Sequence, residues 1–470
     1  MDVSPEPLKA LAKTASVEAF GAGGKLIVEI ASIYFRNRST AQTARIRLDR
    51  PDSAPETERA ARNARIAIDS SKRRRLGGEH RPRDTGASRC ACPAASTHEE
   101  ASPFVHPCAL SMSKTLTVIV SNSISADLRI YRLDPDAPSM QAAGHHPLGP
   151  QLMPLAIASD RSTLFAALRS TPPAIARCRL DPGTGQLATD YRLDVGAGHV
   201  SLAIDRAGRF LFGASYGSHQ LVVHAIARLD EGDASPLQTL EGIRNAHAVL
   251  VSPDDRHVYV TSLGSDALLC CSLDAEREAP LEIVDTLAFD KGFGPRHMRF
   301  SPDGAWLHVL SEFRATVAVF RRDPRTGRLS RHHVTTRPPE LAAMRDGQAR
   351  PPATEPQPDP ATLAGAIWAA DLQVRPDGRF VYLSERTTSR LFVLRVEADG
   401  TLAHAGAVST ETQPRGFAID PGGRYLVACG EHSPQVSLYL IDAASGLPAL
   451  HSRHPGGQGA NWVEIVAGGA

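Results

Sequence analysis

Arg296 and His297 stand side by side in Gly294-Pro-Arg-His, and Arg415 follows a proline in the matching Gln413-Pro-Arg-Gly-Phe. Two X-Pro-Arg sequences in the same register set guanidinium groups on one rim, the geometry that clamps a phosphate or carboxylate through paired N–H donors. Arg386 adds a further positive charge. His247 is the natural general acid or base, because imidazole changes charge near neutral pH. Glu312 is placed either to serve an imidazole, a hydroxyl or a water, or to form a structural ion pair with Arg296. Asp371 either joins the site or caps the loop before its strand. Tyr216, His297 and Trp462 complete the expected substrate-binding set. One tempting motif falls away. Gly213-Ala-Ser-Tyr-Gly217 matches the Gly-x-Ser-x-Gly nucleophile elbow, but that elbow needs a strand, a sharp turn and a helix, and no helix is expected after Ser215.

These residues share a register because the chain repeats. Ile204-Asp-Arg-Ala-Gly-Arg-Phe-Leu-Phe aligns with Val251-Ser-Pro-Asp-Asp-Arg-His-Val-Tyr, Phe300-Ser-Pro-Asp-Gly-Ala-Trp-Leu-His, Val374-Arg-Pro-Asp-Gly-Arg-Phe-Val-Tyr and Ile419-Asp-Pro-Gly-Gly-Arg-Tyr-Leu-Val. A weaker copy begins at Ile157 and a truncated one at Ile465. The seven anchors are separated by 47, 47, 49, 74, 45 and 46 residues. Each unit reads as a strand, a Pro-Asp-Gly type of turn, a second strand and usually a third and fourth, which is the content of a propeller blade. The segment Thr115–Asp134 supplies outer strands without an anchor, and Ile465 is an anchor without outer strands. The two chain ends therefore share one blade, and the fold expected is an all-β, seven-bladed propeller closed by both ends.

In that geometry the residue four before the anchor lies opposite the residue twelve after it, at the end of the hairpin away from the turn. The first column reads Met153, Val200, His247, Arg296, Ala370, Arg415 and Asn461; the second reads Arg169, Tyr216, Leu263, Glu312, Arg386 and Glu431. Position −3 adds Ser201, His297, Asp371 and Trp462. Ionisable groups stand where a core would be apolar, while the anchor and the position seven beyond it are aliphatic or aromatic, as packing between blades requires. The columns converge on one mouth of the central channel. The Pro-rich stretch 338–360 accounts for the 74-residue spacing and is either a lid over that mouth or a surface loop.

Composition narrows the function classes. Of 470 residues, 52 are Lys or Arg and 51 Asp or Glu, a formal charge of +1 that gives no footing for a polyanion or a membrane surface. Neither nucleic acid nor a membrane is an expected partner. The longest N-terminal apolar run, Lys25 to Phe35, contains Glu29 and is too short to span a bilayer, and no secretory leader is readable. Seven scattered cysteines, including Cys270 and Cys271 on an expected third strand, form no disulfide framework; a cytoplasmic protein is the simplest expectation. The charge divides unevenly. Residues 1–112 carry 18 basic and 13 acidic side chains, the remainder 34 and 38.

From Thr40 to Ser111 the sequence is rich in Ala, Arg, Ser, Thr and Pro and lacks sustained apolar periodicity, so residues 1–111 read as a disordered extension ahead of a propeller domain at 112–470. A helix near Pro5 to Phe20 is the exception. The run Lys72–Arg75 reads as solvated rather than as a nucleic-acid arm, and Cys90, Cys92, His98, His106 and Cys108 fit no usual zinc spacing. Translation starting at Met112 would account for the abrupt onset of ordered sequence at Lys114. Neither a metal nor a cofactor is expected, and a monomer is favoured.

The stretches Gly294-Pro-Arg-His-Met, Trp368-Ala-Ala-Asp, Arg375-Pro-Asp-Gly-Arg, Thr410-Glu-Thr-Gln-Pro-Arg-Gly-Phe and Gly457-Gln-Gly-x-x-Trp462 resemble the propeller-type 6-phosphogluconolactonases of the lactonase family, relatives of the fungal carboxymuconate cycloisomerases. The resemblance runs from about Thr115 to Val466. It implies hydrolysis of 6-phospho-D-glucono-1,5-lactone to 6-phosphogluconate, the lactone step of the oxidative pentose phosphate route in glucose metabolism. By register the catalytic positions implied are His247, Arg296 and Glu312, with Arg386 and Arg415 on the phosphate, Arg296 at the oxyanion, and His247 assisted by Glu312 delivering water. Two other readings stand beside it: a lactonising cycloisomerase acting on a muconate-like acid, and a propeller binding scaffold, which the missing Gly-His and Trp-Asp repeats disfavour.

Overall fold

The computed structural model describes residues 115–351, 358–359 and 363–468, together with the strands Ala12–Gly21, Gly24–Ile33 and Gln42–Arg47. It divides into two units, Met1–Val105 and His106–Ala470. In the first unit the three strands form one antiparallel sheet in sequence order. Ala12–Gly21 is thus a strand, where a helix was expected between Pro5 and Phe20; its partner Gly24–Ile33 is rich in the β-branched residues that favour pairing. The basic run at 72–75 and the Cys/His group at 90–108 lie outside the described residues.

The second unit is a ring of seven four-stranded antiparallel sheets. Blades 1 to 6 run through 152–194, 201–240, 246–288, 295–334, 369–409 and 414–455. Blade 7 is shared between the chain ends: Ala460–Ala467 is its inner strand and Leu116–Asn122, Asp127–Asp134 and Ser139–Pro147 are its outer ones. Adjacent inner strands touch around the whole ring, with Ala460–Ala467 against Leu152–Ile157 completing it. Blade 2 departs from the all-strand pattern, since a helical turn, Ile226–Asp230, precedes its short outer strand Gln238–Leu240.

The repeat has a physical cause at two positions. The hairpin turn four residues past the first six anchors is left-handed, with φ of 59° at Arg161, 69° at Gly208, 54° at Asp255, 68° at Gly304, 74° at Gly378 and 67° at Gly423. Glycine recurs there because it adopts positive φ without a Cβ clash. The position seven past the anchor, Leu164, Leu211, Val258, Leu307, Val381 and Leu426, is fully buried between blades. The anchors themselves are only half-buried. Tyrosines then tie blade to blade: the hydroxyls of Tyr259, Tyr382 and Tyr425 donate to the carbonyls of Gly327, Gly446 and Pro135 in the following blades, at 2.6, 2.7 and 2.8 Å.

The inner strands carry the device that builds the mouth. In six of the seven blades the register between the inner and second strands slips at the −4 position: around Met153, His247, Arg296, Ala370, Arg415 and Asn461. A bulge of this kind bends the strand and re-aims a side chain. Inner strands also approach closely. A Cβ at Gly416 would lie 2.6 Å from the Asn461 carbonyl oxygen and 2.8 Å from the Trp462 Cα on the neighbouring inner strand, which explains the glycine in Gln-Pro-Arg-Gly-Phe. Gly416→Ala must therefore push two inner strands apart, and a loss of about 1–3 kcal/mol is expected in a denaturant titration. An unchanged midpoint would show that the strands are not in this contact.

Candidate functional site

The −4 and +12 columns meet as expected, in a cavity of about 300 Å³ at one channel mouth. Its lining takes Val200, His247, Arg296 and Arg415 from the first column and Arg169, Tyr216, Leu263, Glu312 and Arg386 from the second. That volume is at the lower end of the range for small-molecule sites. Pro295 and Pro414 each open an inner strand, where a missing N–H is tolerated, and the bulge that follows turns the arginine toward the mouth.

Glu312 is the hub. It is only 7% exposed, and its two carboxylate oxygens are divided between two blades' arginines. Oε2 lies 3.3 Å from Arg296 Nε in the same blade, and Oε1 accepts from Arg386 Nη2 of the next blade at 2.5 Å. Its backbone is fixed as well, by Glu312 N–H to Gly294 O and Ala369 N–H to Glu312 O, both 2.9 Å. Burial alone would raise this carboxyl, but Arg386 and Arg296 outweigh it and hold it below its usual value. Arg296, 1% exposed, also donates from Nη1 to Ala370 O. Burial lowers it to about 9, opposed by Glu312 and reinforced by Arg386 and Arg415, so it remains cationic at neutral pH. Arg386 Nε donates to the Trp368 carbonyl at 3.0 Å, and Nη2 also reaches the Ala369 carbonyl at 3.4 Å. Arg415 has one carboxylate partner, Glu431, at 2.8 Å.

His247 is 5% exposed, its ring set between the edges of Tyr216 and His297 at centroid distances of 6.0 and 5.5 Å. Its Nδ1 has no hydrogen-bond partner among the described residues. Burial first, then the charges of Arg296, His297, Arg415 and Arg386, push its pKa well below the ordinary 6.5, so the imidazole is neutral at pH 7 with a lone pair available. Glu312 makes no hydrogen bond to it; both carboxylate oxygens face arginines. Ser215 lies at the end of the strand Phe210–Ser215 and donates to Gly198 O at 3.0 Å, in a hairpin rather than an elbow.

Three expected substrate residues sit elsewhere. His297, Asp371 and Trp462 do not line the mouth cavity but line two smaller cavities deeper in the channel. The bulge separates the neighbours: the −4 side chain turns to the mouth and the −3 side chain to the bore. There His297 Nδ1–H donates to Asp371 Oδ1 at 2.6 Å, and Asp371 also accepts from the Leu372 N–H at 2.8 Å and from the Gln373 amide and Phe417 N–H. Asp371 is thus not a loop cap. Burial works against its ionisation, yet His297 and the donated hydrogen bonds bring its pKa to about 2. His297 is lowered to about 4 by burial and Arg296, which keeps it neutral above Asp371. Trp462 Nε1 donates to Glu464 at 2.8 Å.

The mouth contains residues that the repeat register does not reveal. Arg350, in the Pro-rich insertion, lines the cavity with Pro351 and Phe313. Its carbonyl accepts from Tyr216 Oη at 2.7 Å and its guanidinium lies 4.4 Å over the Trp368 ring. The insertion thus reaches the site at this residue; positions 352–357 lie outside the described residues. Counting Arg169, Arg296, Arg350, Arg386 and Arg415 against Glu312 and Glu431, with His247 neutral, three positive charges are uncompensated. Such a mouth is built for an anionic ligand.

Comparison with known proteins agrees with this architecture. The family model described as lactonase, 7-bladed β-propeller, matches residues 115–465. Among curated relatives, 6-phosphogluconolactonase of Cronobacter sakazakii is 32% identical over 358 residues, covering 75% of this chain and 98% of the relative. That of Enterobacter sp. strain 638 is 29% identical over 355 residues, covering 75% and 99%. Among solved structures, the periplasmic gluconolactonase of Pseudomonas aeruginosa superposes with a TM-score of 0.64 at 23% identity, covering 75% of this chain and all of that one, a likeness of fold.

The hub makes a testable demand. Glu312→Gln leaves two buried guanidinium groups without their shared anion, a change expected to lower stability by about 3–5 kcal/mol in denaturant titration. A loss below about 1 kcal/mol would show that the arginines do not depend on this carboxylate.

Proposed function

We propose, from the premise that the chain belongs to the lactonase family of seven-bladed β-propellers, that it hydrolyses an anionic sugar lactone, with 6-phospho-D-glucono-1,5-lactone as the substrate and 6-phosphogluconate as the product. The observation that carries this reading is the excess of guanidinium groups around one neutral, buried imidazole. The curated relatives bearing the name 6-phosphogluconolactonase support it.

The chemistry follows from the groups present. A water held by His247 attacks the lactone carbonyl carbon, and the imidazole takes the water's proton. The carbonyl π electrons move onto oxygen, and Arg296, whose charge Glu312 steadies without neutralising, stabilises that oxyanion. Collapse of the tetrahedral intermediate breaks the bond to the ring oxygen, which receives the proton back from His247. The product acid then ionises, releasing one proton. Glu312 is a positioning residue in this scheme: its oxygens face Arg296 and Arg386 and leave the imidazole to act alone. An arriving dianion offsets part of the positive field on His247 and raises its basicity where the base is needed. The Asp371–His297 pair beneath supports the ring from the channel side.

Two assays test this reading. With a 6-phosphogluconate dehydrogenase couple and the spontaneous opening of the lactone subtracted, His247→Gln is expected to lower kcat/KM by about 100- to 10,000-fold. Wild-type turnover by this variant would refute the assignment. In the pH profile of kcat/KM, a base whose folded pKa is depressed stays unprotonated below the ordinary value, so the acid limb is expected below pH 6.5. An acid limb at or above 6.5 would mean that another group, or a solvated imidazole, is the base.

A further inference from the structure

The sequence assigns the phosphate end of the substrate to Arg386 and Arg415, but both are engaged: Arg386 with Glu312 and two carbonyls, Arg415 with Glu431. The mouth's two carboxylates are therefore taken by Arg296, Arg386 and Arg415. Arg169 and Arg350 differ. Both line the cavity, and neither has a carboxylate within ion-pair distance among the described residues. Among the described residues Arg169 makes a 3.4 Å contact from Nη1 to Met153 Sδ, and Arg350 rests on the face of Trp368. A half-buried cation, Arg169, and an exposed one at the rim, Arg350, with no carboxylate partner among the described residues and in a site with excess positive charge, are placed to meet an external anion.

Resting on the hydrolase reading above, we propose that Arg169 and Arg350 form the clamp for the substrate's phosphate and so set selectivity for a phosphorylated over an unphosphorylated lactone. Arg169 approaches from the hairpin of blade 1. Arg350 approaches from the insertion between blades 4 and 5, anchored through its own carbonyl to Tyr216 Oη of blade 2. The anchoring matters because an arginine on a free loop would have to be ordered on binding, whereas a pinned one is pre-organised. Partial loss of hydration, and for Arg169 the charge of Arg415, for Arg350 the charge of Arg386, lower both guanidinium pKa values, and an anion bound between them offsets that repulsion. Arg386 becomes a positioning residue for Glu312. Its guanidinium carbon lies 5.9 Å from the centre of the Trp368 ring.

The test is the ratio of kcat/KM for 6-phosphoglucono-1,5-lactone to that for glucono-1,5-lactone, measured in wild type and in R350Q and R169Q, with competitive inhibition by inorganic phosphate as an independent readout. Loss of charge-assisted hydrogen bonds to phosphate is expected to lower the ratio about 10- to 100-fold in each variant and to weaken phosphate inhibition in parallel. R350K, which keeps the charge but not the planar fork, is expected to fall between. A ratio within about threefold of wild type, or equal loss on both lactones with phosphate inhibition unchanged, would overturn the clamp. If a variant folds poorly, both activities fall together while the phosphate inhibition constant of the folded fraction still reports the clamp. Failure of the hydrolase reading looks different: wild type would then open neither lactone faster than the spontaneous reaction.

Discussion

A single buried carboxylate shared by two arginines of adjacent blades is the constraint on which the mouth depends. Two guanidinium groups packed at the end of a channel repel each other and lose hydration, a desolvation penalty of several kcal/mol per ion even after relaxation. Glu312 between Arg296 and Arg386 makes their burial tolerable and removes only one of the two charges. It also welds blade 4 to blade 5 at the level where the long insertion leaves the ring, because Arg386 and Ala369 of blade 5 bond to Glu312 through side chain and backbone. Positive potential and mechanical closure thus come from the same three residues.

The remaining features follow from that field. Burial first, and that field after it, keep a proton off the imidazole beside it, which leaves His247 as a neutral base rather than a cation. Beneath it Asp371, ionised, meets a neutral His297, with its oxygens supplied by further donors. The bulges separate these two environments. Without a register slip, alternation would send successive residues of an inner strand to opposite faces; with it, Arg296 serves the mouth and His297 the bore, from consecutive positions.

Much of this was legible in the sequence, for physical reasons. A turn that requires positive φ must repeat glycine or a tolerant residue at a fixed offset, and a face that packs between blades must repeat aliphatic side chains, so the seven anchors stood out and the −4 and +12 columns could be counted from them. Those columns supply nine of the cavity's lining residues. What was not legible depended on local backbone or on chain that has no register. The bulges are not written in residue types, which is why His297, Asp371 and Trp462 were expected at the mouth and lie in the bore instead. Arg350 sits in an insertion, where counting from an anchor has no meaning; its only signal was an arginine beside a Pro-Pro in a segment long enough to reach back. The pairing of Arg386 was equally hidden, since a column shows which groups converge but not which of them neutralise one another.

Burial first, and then the charges of Arg296, His297, Arg415 and Arg386, keep His247 unprotonated, and an anion bound at the mouth offsets the contribution of the charges. Side-chain nitrogen NMR of His247 across a pH titration, with and without 6-phosphogluconate, measures this directly. The expected result is a neutral imidazole at pH 6 in the free protein and a titration midpoint that moves upward when the ligand binds. An imidazole already protonated at pH 6, or a midpoint indifferent to the ligand, would contradict it.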